Sequence, residues 1–216
     1  MYRRRLVFEI ELIRNHHCRN VPILPEFVLA YPDVSIDLNL SDAIVDLVGQ
    51  GFDAALRISV LPDSSLVARR LCPVSRFIVA ALSYLAQHGR PRHPHDLIRR
   101  DCLGYAYRAR SEVWRFINSA GDEETIEPAG PLRVTNADAL VPTVLAGLAV
   151  AELPEFIAGE YLRDGRMEAV LKDWTLQKGG LYFVTPSVRP RPAKVEVLAE
   201  FPHERLSRPA WSYASS

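Results

Sequence analysis

The sequence predicts an α/β protein built from strand–helix–strand units. Two segments, residues 34–58 and 131–154, each run from a strand pattern through a polar helix start to a second strand. A glycine follows the apolar stripe of each predicted helix, as expected at a helix end. Because short links join these elements, we expect right-handed crossovers and a largely parallel sheet.

Length and composition set the first limits on function. The chain has 216 residues, 48% hydrophobic and 24% charged, with a formal net charge of +0. These values are typical of a globular protein of one two-lobed domain or two small domains. They give no overall basic excess of the kind that nucleic-acid surfaces need. Cys18, Cys72 and Cys102 lie far apart without a zinc-binding spacing, which predicts a reduced, cytoplasmic chain.

The first half of the chain predicts a helix, a strand, a helix and a strand. Helical spacing of apolar residues in VPILPEFVLA predicts a helix that Pro32 ends. Strict alternation over residues 34–40 predicts a half-buried strand. A second helical stripe contains Leu47, with Gly49 or Gly51 as its stop. The alternating segment FDAALRI predicts the next strand.

The second half repeats this logic after a Pro- and His-rich connection. LCPVSRFIVAAL predicts strands, and VWRFINSAGDEETI predicts strands joined by an acidic turn at residues 121–124. Leu140 and Leu148 belong to the stripe of another helix, near Gly147, and LAVAELP predicts the following strand. GLYFVTP predicts a late strand, and PAKVEVLAEF predicts a helix that Pro202 should end or kink.

Polar residues open both helices of the repeated units. Ser41 or Asp42 can cap the first, and Asn136 can cap the second, with Asp138 in its first turn. Such residues cap helices in most proteins, so a purely structural role is one interpretation. The other is a ligand site, because ligands of open parallel sheets bind beyond the carboxyl ends of the strands.

Other candidate residues favour structural roles. We expect Arg57 to form an ion pair with a nearby Asp, not to act as a carboxylate clamp for a ligand. Trp114 and Tyr105 could line a binding site, but for Trp114 a place in the core is the better interpretation. Residues 3–5, all Arg, are expected to form a solvated end rather than a phosphate-contacting arm. The remaining candidates lack metal-ligand partners or lie in a Pro-rich loop expected to be solvated: His16, His17, Cys18, His88, His93 and His95.

Motifs of catalysis are missing from the sequence. It contains no G-x-S-x-G, phosphate-binding loop, HExxH or G-x-G-x-x-G motif. We therefore expect no catalytic residue, no metal and no cofactor.

A long stretch resembles a known family. LPEFVLAYPDVSIDLNLSDAIVDLVGQGFDAALRISVLPDSSLVARRL resembles the effector-binding domain of LysR-type transcriptional regulators, in particular those with L-x-L-S-D and D-S-S-L-x-A-R patterns. DCLGY, WRF, LRVTNADAL, GLAVAELPEF and PAKVEVLAEF match in the same order. The resemblance covers roughly residues 22–201.

The resemblance implies a two-lobed, type II periplasmic-binding-protein-like α/β fold. Lobe one would hold residues 1–76 plus 180–216, and lobe two residues 77–179. A small-molecule effector would bind in the cleft between the lobes. The residues that match the family's cleft positions, or leave strands toward it, are Ser41, Asp42, Ile58, Ser59, Asn136, Ala137, Asp138, Leu153 and Pro154.

The electrostatics of the two helix starts suggest an effector class. Backbone N–H groups at a helix start attract anions, but a carboxylate there partly cancels that field. Since Asp42 and Asp138 lie at the two starts, an effector with hydroxyl or amine donors fits better than a simple anion.

The sequence departs from the family before Val21. FEIELIRNHHCRN replaces a strand and a polar turn that help line the effector pocket, and the winged helix-turn-helix and linker helix of whole regulators are missing from the sequence. We therefore expect a truncated or misread regulator that senses an effector and forms a homodimer or tetramer. It would reach DNA only through a helix-turn-helix domain and would not contact a membrane. The alternative is a solute-binding protein of a transporter, which shares the fold.

Overall fold

The predicted patterns form strands and helices in a computed structural model, which describes residues 4–10, 23–40, 46–59, 66–105, 113–177, 179–186 and 193–206. The first elements in chain order are β1 (Arg4–Ile10), α1 (Ile23–Ala30), β2 (Val34–Leu40), β3 (Ala54–Ser59), β4 (Val67–Val74), β5 (Arg76–Ala81), α2 (Leu82–His88), a 3-10 helix (Pro94–Arg99), β6 (Cys102–Tyr105), β7 (Trp114–Asn118) and β8 (Glu123–Ile126). The later elements are β9 (Arg133–Val134), a second 3-10 helix (Ala137–Ala139), α3 (Leu140–Leu145), β10 (Val150–Pro154), α4 (Glu155–Arg163), β11 (Met167–Val170), β12 (Trp174–Leu176), β13 (Gly179–Thr185) and α5 (Ala193–Leu206).

Backbone contacts divide the chain into two compact units. The first unit contains the described residues up to Val74 and those from Gly179 to Leu206. The second contains the described residues from Ser75 to Gln177. The chain therefore leaves the first unit after β4 and returns to it with β13.

The first unit is built on a five-stranded sheet with the order β2-β1-β3-β13-β4. β1 pairs in parallel with β2 and β3, whereas β13 pairs antiparallel with β3 and β4. Helices α1 and α5 are joined by aromatic contacts, and the rings of Phe27 and Phe201 meet edge to face at 5.3 Å. Both of these rings are buried.

Strand β1 corrects the expectation of a solvated N-terminal end. Arg4 and Arg5 belong to this strand, which lies between β2 and β3, and Arg3 is outside the described residues. The physical reason is that Phe8, 1% exposed, anchors the strand in the core. In addition, the Asp53 carboxylate accepts a hydrogen bond from the Val7 backbone N–H at 2.9 Å.

The second unit contains a five-stranded sheet and a smaller one. The larger sheet has the order β11-β5-β10-β6-β9, with β10 parallel to β6 and antiparallel to β5, and the smaller has the order β12-β7-β8. β7 and β8 form the predicted hairpin, and their turn precedes Glu123. Trp114, 1% exposed, lies in the core cluster of this unit, which confirms its predicted packing role.

The sheets are mixed, so the prediction of a largely parallel sheet is wrong. Each five-stranded sheet contains three adjacent parallel strands, but β13 in one and β5 in the other run antiparallel to their neighbours. These two strands lie outside the two predicted strand–helix–strand units, residues 34–58 and 131–154. Parallel pairing through crossover connections is therefore limited to the other strands of each sheet.

Two helix predictions also need correction. Helix α5 does not end at Pro202 but continues to Leu206, so of the two expected effects of the proline only a kink stays a prediction. It keeps apolar residues in the core on the N-terminal side of the proline, such as Leu198 at 2% exposure. Leu148 does not join the stripe of α3, because that helix ends at Leu145 and Leu148 is 61% exposed.

Left-handed glycines follow helix α3 and the turn at residues 47–50, where the described part of the first predicted helix lies. Gly51 has φ 74° and Gly147 has φ 73°, a region that residues with a Cβ rarely adopt. The first of the two predicted helices lies partly outside the described residues, at positions 41–45. None of the described helices is long and apolar enough to cross a membrane.

Candidate functional site

The predicted site residues of the first unit lie at the carboxyl ends of two parallel strands. Ser41 and Asp42 follow β2 directly in sequence but are outside the described residues. Ile58 and Ser59 are the last two residues of β3, where they pair with Leu181 and Gly180 of β13. The half-buried Ile58 and the backbone of Ser59 therefore mark the carboxyl end of this strand.

Asn136 is the N-cap of the second 3-10 helix. Its backbone is extended, and its side-chain oxygen accepts a hydrogen bond from the Asp138 backbone N–H at 2.9 Å. Ala137 is buried and Asp138 half-buried. The structure thus confirms the cap predicted for Asn136, which by itself requires no ligand.

Asp138 also acts electrostatically on helix α4. Burial raises the pKa of Tyr161 above its ordinary value, and the negative charges of Glu160 and Asp138 contribute to the same direction. The guanidinium of Arg166 opposes this shift and lies 4.6 Å from the centre of the Tyr161 ring. The second 3-10 helix, α4 and the turn that follows α4 therefore place an acid, a phenol and a guanidinium within electrostatic range.

Leu153 and Pro154 close strand β10. Leu153 is 0% exposed, so its side chain packs in the core and any role in binding falls to its backbone. Pro154 is buried and precedes α4 with extended backbone, where its ring suits a helix start. The backbone N–H of Glu155, the first residue of α4, donates to the carbonyl of Ser75 at 2.9 Å.

A charged pair near these residues was missed by the sequence analysis. Arg76 Nε lies 3.2 Å from Glu152 Oε1, and the Glu152 side chain is only 5% exposed. A carboxylate this deeply buried needs a charged or hydrogen-bonding partner. The signal was Glu152 itself, a lone acid within the apolar strand LAVAELP.

The two units place their predicted residues at equivalent points of one strand plan. Each large sheet consists of three parallel strands, then a strand antiparallel to them, then an edge strand antiparallel to that one. In this order the strands of the first sheet are β2, β1, β3, β13 and β4. The corresponding strands of the second sheet are β9, β6, β10, β5 and β11. Residues 41–42 follow β2 as residues 135–138 follow β9. Residues 58–59 end β3 as residues 153–154 end β10.

The chemistry of these positions is that of binding. They provide a hydroxyl, amide, carboxylate and backbone groups, the kinds of group that small-molecule sites use for hydrogen bonds and ion pairs. Among the predicted site residues that the structure describes, none forms a cluster of metal ligands. The group of metal-ligating side chains found in the described part of the chain is His93, His95 and Glu124.

Comparison with known proteins assigns the family. The sequence model of the LysR substrate binding domain matches residues 17–207. The uncharacterized HTH-type transcriptional regulator YcaN of Escherichia coli is 34% identical over 167 residues, which cover 76% of this chain and 54% of that protein. The HTH-type transcriptional regulator PtxR of Pseudomonas aeruginosa is 33% identical over 190 residues, 88% of this chain and 61% of that protein. The chain thus spans little more than half the length of these relatives.

Solved structures show the same fold. The full-length Vibrio cholerae virulence activator AphB, a member of the LTTR family, superposes with a TM-score of 0.78 at 25% identity, over 94% of this chain and 68% of that one. The regulatory domain of CrgA, a LysR-type transcriptional regulator from Neisseria meningitidis, gives a TM-score of 0.74 at 23% identity, over 94% and 99% of the two chains. The fold is the type II periplasmic-binding-protein-like fold of these regulatory domains, and the chain belongs to the LysR substrate-binding domain family.

Proposed function

We propose that this chain is the effector-sensing domain of a LysR-type transcription regulator, with the two units as the lobes that hold a small metabolite between them. Lobe one would comprise residues 1–76 plus 180–216, and lobe two residues 77–179. The observation that carries the proposal is the equivalence of the predicted positions, at the carboxyl ends of corresponding strands in the two sheets. Ligands of such sheets bind at these ends.

The effector would carry hydroxyl or amine donors rather than two carboxylates. Asp138 lies at the start of the second 3-10 helix, and Asp42 matches it in sequence at the corresponding start of the first unit. Two carboxylates accept hydrogen bonds from cationic or hydroxyl groups and repel a dianion.

A thermal-shift screen tests this proposal. The panel contains amines, amino acids, polyols and dicarboxylates, and we expect hits only among the donors of hydrogen bonds. Binding of a hit is then compared between the wild type and Asp138→Asn. Because the loss of a charged hydrogen bond costs about 1.5–3 kcal/mol, its Kd should rise about ten- to a hundredfold.

Asp173→Asn is the matched control, because Asp173 is exposed and lies in a turn of the same unit. It should bind the hit with unchanged affinity. A panel in which only dicarboxylates bind would refute the proposed effector class. A hit whose affinity Asp138→Asn leaves unchanged would refute the proposed site.

We also propose that the domain forms a homodimer or tetramer through helix α1 and strand β2. Leu29 and Val28 of α1 are 82% and 51% exposed, a large apolar area for one short helix. Leu29→Asp should lower the mass measured by light scattering toward that of a monomer. Ile98→Asp, at a residue 61% exposed on the first 3-10 helix, should leave it unchanged.

The whole regulator would act on DNA in the cytoplasm through a helix-turn-helix domain, without catalysis and without a membrane. The relatives named above are transcriptional regulators, which favours this role over that of a transporter's solute-binding protein. A gel shift showing tight, sequence-specific DNA binding by these 216 residues alone would contradict the proposal.

A further inference from the structure

Two imidazoles and a carboxylate meet on the second unit, on elements other than those of the predicted effector site. His93 and His95 flank Pro94 at the start of the first 3-10 helix, and Glu124 lies on β8. One ligand atom from each of the three lies within 4.8 Å of the others. We propose that His93, His95 and Glu124 bind one divalent transition-metal ion, and that Zn²⁺ is the ion they suit best.

The distances are close to those of a metal site. His95 Nδ1 lies 3.3 Å from Glu124 Oε2, and His93 Nε2 lies 3.8 Å from Glu124 Oε1. Nitrogen and oxygen ligands at their usual 2.0–2.2 Å from a tetrahedral Zn²⁺ are about 3.3–3.5 Å apart. The two histidine–glutamate distances are therefore close to those between ligands of one tetrahedral ion.

The backbone around the two histidines is fixed before any ion binds. The Asp96 carboxylate accepts hydrogen bonds from the backbone N–H groups of Arg92 at 2.8 Å and His93 at 3.0 Å. These bonds hold the pKa of Asp96 below its ordinary value. Pro94 is buried and restricts the backbone at the first helical position. Because the fold already holds the backbone of both histidines, metal binding loses less conformational entropy than it would in a flexible loop.

Glu124 and the His93 ring are supported from the other side. Glu124 pairs with Phe116 across the β7–β8 hairpin, and Phe116 is buried in the core. The edge of Trp174 packs against the His93 ring, with ring centres 5.0 Å apart. His93 therefore caps a 3-10 helix and is partly covered, where a solvated loop residue was expected, and His95 is exposed as expected.

Metal binding requires one change of proton position. His93 Nδ1 accepts a long hydrogen bond, 3.3 Å, from the backbone N–H of His95. A neutral imidazole that accepts at Nδ1 carries its proton on Nε2. Coordination of the ion through Nε2 moves that proton to Nδ1, which can then no longer accept the long hydrogen bond from His95. Metal binding and the N-cap hydrogen bond of His93 therefore exclude each other.

The donor set selects the kind of ion. Two imidazoles and one carboxylate suit Zn²⁺ and its neighbours in the first transition series, whereas Mg²⁺ and Ca²⁺ prefer oxygen ligands. Three protein ligands leave a fourth position for water or another small donor.

The test is a Zn²⁺ titration of the full chain with ¹⁵N-labelled histidine, followed through the imidazole nitrogen resonances by NMR. We expect one equivalent of Zn²⁺ to move the resonances of His93 and His95. Those of His88, whose Nδ1 lies 3.1 Å from the Tyr84 carbonyl oxygen outside the group, should stay in place. The wild-type resonances decide the outcome without any variant.

Variants then assign the ligands. His93→Asn keeps a good N-cap residue, and Glu124→Gln keeps the shape of the side chain. Each should raise the Kd for Zn²⁺ about tenfold or more, because each removes one of three ligands. The matched control is Glu123→Gln, a change at the exposed neighbouring acid on β8, and it should leave the Kd unchanged.

Two results would overturn the proposal. One is a Zn²⁺ titration to several equivalents that leaves the His93 and His95 resonances unmoved. The other is Zn²⁺ binding that survives His93→Asn and Glu124→Gln but disappears when His16 and His17 are replaced, which would assign the ion to the N-terminal segment.

Discussion

The two large sheets have the same order of strand directions, but the antiparallel strand comes from a different part of the chain in each. In the first unit the antiparallel strand β13 arrives after the whole second unit, whereas in the second unit the antiparallel strand β5 comes first. The strands next to them, β3 and β10, also differ in charge. Arg57 interrupts the apolar pattern of β3, and Glu152 interrupts that of β10.

This difference places opposite charges at matching points of the two sheets. Arg57 and Glu152 are each the third residue from the end of their strand, beside the predicted site residues. Glu152 is paired with Arg76 at 3.2 Å. One strand plan therefore carries opposite charges at corresponding places.

The largest expected effect concerns the first strand of the first sheet. Phe8→Ala removes a ring that is 1% exposed and lies 6.2 Å from the ring of Phe183. We expect the free energy of unfolding to fall by about 3–5 kcal/mol, because a buried aromatic leaves a cavity. Urea denaturation measures this loss. Leu148→Ala, at 61% exposure, is the control and should change stability by less than about 0.5 kcal/mol.

The next effect concerns the charged pair that distinguishes β10 from β3. Arg76→Met leaves the Glu152 carboxylate, 5% exposed, without this guanidinium. We expect a loss of about 2–3 kcal/mol in the free energy of unfolding. The double variant Arg76→Met, Glu152→Gln should recover much of this loss in the same urea measurement. A single variant as stable as the wild type would show that the pair has no structural role.

Strand β6 of the second unit gives a pH-dependent effect. Burial, followed by the charge of Asp101, raises the pKa of the Cys102 thiol to about 12. An unfolded chain ionises this thiol near its ordinary pKa of 9.0, so the stability from the neutral thiol is complete below pH 9 and is lost as the pH rises toward 12. The slope approaches about 1.4 kcal/mol for each pH unit.

Urea denaturation from about pH 8 to about pH 11, a range that begins below the ordinary pKa of a thiol and extends above it, measures this slope. Cys102→Ala should show a flatter dependence, and the difference between the two curves isolates the thiol from other titrating groups. Parallel curves would contradict the raised pKa. Below pH 9 the native Cys102 should also resist alkylation by iodoacetamide, because thiolate is the reactive form.

The smallest effect compares the two left-handed glycines. Gly51→Ala and Gly147→Ala should each lower the free energy of unfolding by about 1–2 kcal/mol, the cost of a Cβ in this region. A Cβ at Gly51 meets nothing within 4 Å, whereas one at Gly147 would lie 2.5 Å from the Ser83 hydroxyl. Since that hydroxyl can rotate away, the two losses measured by thermal denaturation should be similar. A much larger loss at Gly147 would show that Ser83 is held in place.

Residue patterns predicted most local elements because the periodicity of apolar residues reports directly on burial. The strand VSIDLNL and the hairpin of Trp114 are examples, and the structure confirms both elements. Burial does not alternate along that strand, where Asn39 is exposed and the other residues are half-buried. Strand β1 was missed because Arg4, Arg5 and Glu9 flank or interrupt its apolar residues and hide a regular alternation. Its burial depends on partners, β2 and β3, that come later in the chain.

Pairings between distant segments could not be predicted from local patterns. Nothing near Arg76 in sequence indicates Glu152, and nothing near His93 indicates Glu124. Both pairs depend on which strands become neighbours, as β5 and β10 do, and on contact between β8 and the first 3-10 helix. The predicted site residues came from helix starts and family resemblance, which place residues on strand ends but do not report distances.

The most direct test of the central claim is hydrogen–deuterium exchange of the full chain with and without the tightest hit of the effector screen. If one molecule binds at corresponding strand ends of both units, backbone amides should gain protection around residues 58–59 and 41–42 and also around 136–138 and 153–154. Protection confined to one unit, or to neither set of strand ends, would contradict a shared effector site.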